Sequence, residues 1–301
     1  MTHVALVLGN GFDLDLGLPT KYSDFADPKN KEWNDFLNMT GTIIKQCFRT
    51  EFVDHMQHAR EHELWFDIEK EISFFAERHR DLSQEQIRLI RYQFDTLVDQ
   101  LRLYIGRVAV QKNKKDESLA ESLLRKLNSI QHPVAVYTYN YTDCFTVCGI
   151  VKKDNMKNHH VHGSLSYNMT LGCRVNDENK ENHQLDFMYK PTVDLQKDIL
   201  RQNLTSATEV IVFGHSLNDM DYCYFKEFFD AVESGHHICK HLTIICKDAN
   251  SEKQIMENLK KNVCVEKIMN HIDIGLIHTD LWYNKDAITI NNFEDLCNRI
   301  S

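Results

Sequence analysis

Four short runs are apolar at almost every position: Val4 to Leu8, Val134 to Tyr139, Val210 to Phe213 and Leu242 to Cys246. Runs of this length, rich in β-branched and aromatic residues, read as strands buried on both faces. Each then meets small or polar residues: Gly9-Asn10-Gly11, Asn140-Tyr141-Thr142-Asp143, Gly214-His215-Ser216 and Lys247-Asp248-Ala249-Asn250. Strands that do not alternate suit a parallel sheet covered by helices. The strand-then-helix order predicts an α/β fold with a doubly wound, mostly parallel sheet. Ligands of such sheets sit beyond the carboxyl ends of the strands, so the polar sequels are where chemistry is sought.

Between the first two strands the period changes from two to between three and four. Ile87, Ile90, Phe94, Leu97, Leu101, Ile105 and Val108 recur at that spacing, as do Trp65, Ile68, Ile72 and Phe75. Ser83 with Gln86 and Ser118 with Glu121 have capping-box spacing. Three or more helices are expected from about Glu32 to Ser129, too long for a simple crossover, so residues 31–129 read as a helical insertion into a core of 1–30 and 130–301. The stripe from Ile87 to Val108 is explained equally by packing inside the insertion and by contact with a second copy or a regulatory partner protein. Cys173 to Gln184 is the most loop-like stretch.

Composition narrows the function classes. The 301 residues carry 35 basic and 44 acidic side chains, a net charge of −9. Phosphate-backbone binding needs clustered Lys and Arg, and the longest cluster, Lys112 to Lys115, is interrupted by Asn113; strong nucleic-acid binding is not expected. With 11 Gly and 4 Pro, far below the usual ~12% combined, the chain should be rich in helix. No apolar run approaches the ~18 residues of a membrane span, and Val4 to Leu8 runs straight into Gly9 rather than into a signal-peptide pattern. Nine cysteines without a Cys-x-x-Cys pair suggest neither a disulfide framework nor a zinc knuckle. The expected setting is reducing and cytoplasmic, with no membrane partner.

Several residues have chemistry available to them. The Gly9-Asn10-Gly11 turn could bring backbone N–H groups to a phosphate at a helix N-terminus, or could simply punctuate a strand-to-helix turn. Asn140 closes a strand expected at the centre of the sheet, where its amide could bind a ribose hydroxyl or a water, or form a turn. In His159-His160-Val161-His162-Gly163-Ser164 the alternation puts His160 and His162 on one face, but no third ligand has metal spacing. His162 before Gly163 is suited to a general base, its ordinary pKa lying near working pH, or to a hydrogen-bonded structural role. Gly214-His215-Ser216-Leu217 nearly matches the hydrolase elbow G-x-S-x-G, with Asp248 and His278 downstream in triad order, except that Asn218 holds the last glycine's place. Asn218 also reads as an N-cap for a helix whose apolar face is Phe225, Phe228, Phe229 and Val232.

Taken in order, the motifs resemble the sirtuin-like NAD-binding superfamily, and in particular the AbiH type of phage abortive-infection protein. The resemblance rests on Leu8-Gly9-Asn10-Gly11-Phe12-Asp13, Gly17-Leu18-Pro19-Thr20, Tyr22-Ser23-Asp24-Phe25, Trp65-Phe66-Asp67-Ile68-Glu69, Asn140-Tyr141-Thr142, His162-Gly163 and Gly214-His215-Ser216-Leu217. It implies a Rossmann-like sheet with a large helical insertion in place of the zinc module. It also implies a pocket for NAD lined by Gly9, Asn10, Gly11, Asp13, Pro19, Thr142, Asp143, Gly163, Gly214, Ser216 and Asp248, with Asn140 and His162 as the catalytic pair. The expected activity is cleavage of nicotinamide from NAD during bacterial antiphage defence, with no metal. Two departures stand out. The zinc cysteines of sirtuins are missing, and Thr142, followed by Asp143, stands where sirtuins place an Asp. Binding of NAD or an ADP-ribose-like signal without cleavage is the alternative, and a Ser216 hydrolase a more distant one. Asp13, Tyr22 and Glu69 fit the AbiH-like pattern without a chemical assignment; Glu69 could reach into the cleft or pair with a nearby Arg.

Overall fold

A computed structural model of the chain describes residues 3–38, 51–62, 66–110, 117–173, 183–190 and 195–301. Trp65, Cys47 and most of the loop-like stretch between Cys173 and Gln184 lie outside the described residues. Among the described residues no helix is long and apolar enough to cross a membrane.

Six strands, β1 (Val4–Leu8), β2 (Val134–Thr138), β3 (Met156–His160), β4 (Glu209–Phe213), β5 (His241–Cys246) and β6 (Asp273–His278), form one sheet in the order β3-β2-β1-β4-β5-β6. Every pairing is parallel. Leu8 lies beside Thr138 and Phe213, Thr138 beside His160, and Cys246 beside His278. All six strands therefore end on one rim, and the strand order reverses between β1 and β4.

The helices are α1 (Asn10–Asp15), α2 (Tyr22–Phe25), α3 (Lys31–Asn38), α4 (Glu51–His62), α5 (Ile68–Arg78), α6 (Gln84–Ala109), α7 (Leu119–Ser129), α8 (Cys144–Cys148), α9 (Leu195–Ser206), α10 (Asp219–Tyr222), α11 (Lys226–Glu233), α12 (Ala249–Asn262), α13 (Val265–His271), α14 (Thr279–Tyr283) and α15 (Ala287–Arg299). A 3₁₀ segment, His183–Met188, follows the loop after β3.

These elements fall into two compact units, a sheet unit of Met1–Leu18, Gln111–Ser164 and Val193–Ser301, and a helical unit of Pro19–Val110 and Leu165–Thr192. The division differs from an insertion of 31–129 at both ends. Helix α7 goes with the sheet because the buried Asp15 carboxylate accepts from the Ala120 N–H at 2.8 Å, in the first turn of α7, whose Leu119, Leu123, Leu124 and Leu127 are fully buried. Residues 165–192 go with the helices because Gln184 bonds the Leu82 backbone twice, at 2.9 and 3.1 Å, and Phe187 packs edge-on to Phe94.

In the sheet unit, alternate strand residues face opposite ways. Ala5, Val7, Tyr137, Val212 and Ile244 share a core with Leu200 and Leu204 of α9, Phe228 and Phe229 of α11 and Ile268 of α13. Leu6, Leu8, Val136, Ile211 and Phe213 point to the other face and are equally buried; there Phe12 of α1 meets Phe213 edge-on at 5.4 Å. Each such side chain removed from water contributes roughly 1.5–3 kcal/mol.

In the helical unit, Ile90, Phe94, Leu97, Leu101, Ile105 and Val108 of α6 are buried, with α6 packed on α3, α4 and the 3₁₀ segment. The apolar stripe is thus spent on internal packing rather than on an outward contact; only Ile87, at its start, is half-buried. Ser83 and Gln86 form the expected capping box of α6. Tyr22 donates to Glu69 at 3.2 Å and Lys190 to the same carboxylate at 2.8 Å, so Glu69 pairs with a lysine and a phenol rather than an arginine.

Candidate functional site

The site is built at the carboxyl rim of the sheet unit, and its foundation is a contact between glycines. A Cβ on Gly9 would stand 2.5 Å from the Gly214 oxygen and from His215 Cα; one on Gly11 would stand 2.5 Å from Gly214 Cα. Gly214 itself has φ +62°, a conformation L side chains rarely take, and its carbonyl accepts from Gly11 N–H at 3.0 Å. Backbone therefore meets backbone where the strand order reverses. Helix α1 starts at Asn10 with Gly9 as an N-cap that offers no side-chain bond.

Beneath this turn lies Asp13, 1% exposed. Its carboxylate accepts from Thr142 Oγ1 at 2.7 Å and from Asn140 Nδ2 at 3.1 Å, and Asn140 Nδ2 also donates to the Gly9 carbonyl at 3.1 Å. Burial pushes the Asp13 carboxyl up to about 6, against the lowering pull of Thr142, Asn140 and His160. With its NH₂ spent on Asp13 and Gly9, Asn140 keeps its side-chain oxygen as the atom available to a ligand. Gly9, Asp13, Asn140 and Thr142 are thus one hydrogen-bonded group, in which Asp13 and Thr142 hold the rim from below.

Asp143 is an N-cap: it accepts from Thr146 N–H at 2.7 Å and from Asn158 Nδ2 at 2.8 Å. Hydrogen bonding to His160 is the main cause that brings its carboxyl down to about 2. His160 and His162 do not share a face. β3 ends at His160, whose Nδ1 lies 3.3 Å from the Asn140 carbonyl, and the chain then turns through Gly163 at φ +76°. The two histidines have different partners, Asp143 for His160 and Asp221 for His162.

His162 instead meets a residue that sequence reasoning missed. Its Nε2 is 3.5 Å from one oxygen of Asp221, and His215 Nε2 is 3.4 Å from the other. Burial would raise the Asp221 carboxyl, but the two imidazoles outweigh it and hold the group well below the usual carboxylate range. The Tyr139 ring lies 5.2 Å from that of His162 and 4.3 Å from that of His215, and Tyr224 and Phe225 complete the wall. Tyr139 and Asn140 leave β2 as Val161 and His162 leave β3, with Val161 N–H bonded to the Thr138 carbonyl at 2.9 Å. Asn140 and His162 therefore follow paired strands on the same rim. Asn218 caps α10 by accepting from Asp221 N–H at 3.1 Å, which places the carboxylate; α11, with the phenylalanines, is a separate helix.

The remaining predicted residues have other partners. Ser216 is exposed, and its carbonyl accepts from Asn258. Asp248 caps α12 through Ser251, and His278 pairs with Glu252 at 2.9 Å, so neither is turned to Ser216 as a triad requires. Pro19 belongs to the helical unit, where its carbonyl accepts from Tyr104 at 2.7 Å. None of the described cysteines is in a disulfide.

What the rim offers chemically is an imidazole against a buried carboxylate, an amide oxygen held by its own donors, and backbone welded tightly enough to keep both in place. Among known proteins, no curated protein and no solved structure matches the chain. The family model for Bacteriophage abortive infection AbiH matches residues 5–239, a span containing Asp13, Asn140, His162, His215 and Asp221. The chain belongs to the AbiH family, and its role lies in bacteriophage abortive infection.

Proposed function

We propose that the carboxyl rim binds NAD and that the chain hydrolyses its nicotinamide glycosidic bond, depleting the host cofactor in the abortive response. The observation that carries this reading is that β2 and β3, in parallel register up to Thr138 and His160, deliver Asn140 and His162 to the rim on which the strand order reverses, the crevice in which Rossmann-like sheets of this order hold dinucleotides. The residues suit the substrate. Nicotinamide departs from a cationic pyridinium, so no acid need protonate it, unlike the leaving group of an ordinary glycoside. The C1′–N bond breaks with its electron pair passing to the ring nitrogen. Water forms the new C1′–O bond, and its proton goes to His162; the products are nicotinamide and ADP-ribose. Asn140 orients the water or a ribose hydroxyl through its side-chain oxygen.

The test is nicotinamide release from NAD by the purified chain. His162→Ala and Asn140→Ala should each lower turnover about 100-fold or more with the circular dichroism unchanged; retention within a few-fold of wild type overturns the assignment. One observation favours a second reading, binding without cleavage. The Thr142 hydroxyl, at the position where sirtuins carry an Asp, is bound to Asp13. A rise in melting temperature with NAD and no nicotinamide release would identify a sensor.

A further inference from the structure

We infer that Asp13 is the positioning residue that turns the Asn140 amide, holding its NH₂ inward and its oxygen outward, so that the rim presents an acceptor to which only a hydrogen-bond donor fits. That this donor is a ribose hydroxyl or the attacking water rests on the hydrolase reading; the orientation of the amide does not.

A carboxylate and a carbonyl only accept. Asn140 faces one of each, Asp13 Oδ1 and the Gly9 oxygen, both 3.1 Å from the same side-chain atom. That atom is therefore the NH₂, with one hydrogen for each acceptor, because the flipped amide would set oxygen against oxygen twice. The Gly9 carbonyl is shared with Phe12 N–H at 3.0 Å, whereas Asp13 offers a full charge, and hydrogen bonds to an ionised acceptor are the stronger ones. The backbone of Asn140 is held separately: its N–H donates to Thr138 Oγ1 at 3.1 Å, and its carbonyl lies 3.3 Å from His160 Nδ1. What is left for Asp13 to set is the torsion of the amide.

The second oxygen of Asp13 accepts from Thr142 Oγ1 at 2.7 Å, so one carboxylate of α1 ties two residues of the turn after β2. Asp13, Asn140 and Thr142 are all buried, and a charge is kept at that depth only while donors surround it. The ionisable groups in the field of Asp13 are His160, ending β3, whose charge lowers its carboxyl, and the Cys144 thiol of α8, which the Asp13 charge pushes up. An outward amide oxygen repels phosphate and carbonyl oxygens. Of a bound dinucleotide it is then the sugar edge, not the pyrophosphate, that belongs beside Asn140.

Side-chain amide NMR of the full-length wild-type chain tests this without any substitution. The two Asn140 Nδ2 protons should exchange with water about 100-fold more slowly than those of an exposed Asn. The signal of the proton on Asp13 should shift as the Asp13 carboxyl titrates, at about 6. Free exchange, or an Asn140 signal that does not move with the Asp13 carboxyl, overturns the inference. Asp13→Ala should speed the exchange of one Asn140 proton about tenfold and lower nicotinamide turnover about 100-fold, as misplacement by an ångström does. Asp13→Asn, whose side-chain oxygen still accepts from Asn140, should restore slow exchange and bring turnover back to within a few-fold of wild type, while abolishing the titration. A purely structural Asp13 would lower the melting temperature in both variants and leave the Asn140 exchange unchanged, which also overturns the inference. If the wild type releases no nicotinamide, the hydrolase reading fails by itself, and the amide signals still decide the role of Asp13.

Discussion

Both rims of the sheet bury carboxylates, but they satisfy them with different partners. At the amino rim, Glu209 opens β4 at 2% exposure and accepts from Arg299 of α15 at 3.0 and 3.2 Å and from Thr243 at 2.9 Å. A guanidinium keeps its charge at any physiological pH, so this cluster has one state. At the carboxyl rim, Asp13 has only the neutral donors Thr142 and Asn140, and Asp221 has only imidazoles. Burial brings the Asp13 carboxyl to about 6, so its charge changes just below neutrality. The same sheet thus carries a strut at one end and a titratable cluster at the other, and perturbed, titratable clusters in crevices are where function concentrates.

The contrast is broken most forcefully at the strut. Arg299→Ala leaves a buried carboxylate with only Thr243, and should cost about 3–5 kcal/mol in urea unfolding. Replacing Glu209 and Arg299 together by apolar residues of similar volume should recover most of that loss, because the desolvation penalty leaves with the charges. A loss under about 1 kcal/mol for the single variant would mean that the amino rim is not held by this pair.

Asp13 sharpens the comparison through the sign of its pH dependence. Its carboxyl titrates near 6 in the fold against 3.8 when unperturbed, so between these values the folded chain binds more protons than the unfolded one. Stability from this group therefore falls as pH rises from about 4 to about 6, by up to about 3 kcal/mol, and stays at the lower level above that. Asp221 runs the other way: its carboxyl is lowered in the fold, so its contribution is present above the usual carboxylate range and is lost as the pH falls below it. Urea midpoints at pH 4 and pH 7 should differ less, by Asp13's share, in Asp13→Asn than in wild type. An unchanged difference would show that burial does not govern this carboxyl.

The order of the motifs made the rim legible before the coordinates did. The four central strands announced themselves because both of their faces are covered. β3, with the sequence Met-Lys-Asn-His-His, is legible only at its end, where a short alternating strand is expected from His159, and β6 not at all, because both are edge strands with a partner on one side only and fewer apolar positions. Asp221 was invisible for another reason. An acidic residue in the first turn of a helix is ordinary capping chemistry, and nothing local distinguishes it from Asp219. Its role appears only when β3 and β4 bring His162 and His215 to it. The Gly9-Asn10-Gly11 turn was open to two readings, and a third proved relevant: the close partner of these glycines is another glycine, Gly214, from a distant segment.

The smallest expected effect is at Ser216, and it separates the two chemistries that the Gly-His-Ser turn first suggested. The neighbouring His215 uses one nitrogen for Leu217 and the other for Asp221, His278 is held by Glu252, and Asp248 by Ser251. No imidazole among these is turned to accept the Ser216 proton, and an unactivated hydroxyl is a weak nucleophile. Ser216→Ala should therefore change stability by no more than about 0.5 kcal/mol, as exposed substitutions do. Wild type should not react with a fluorophosphonate probe, and loss of one contact to NAD should raise KM a few-fold with kcat unchanged. Stoichiometric labelling of wild type that disappears in Ser216→Ala would move the reacting centre to the exposed turn after β4, and the contrast between the rims would then concern stability alone.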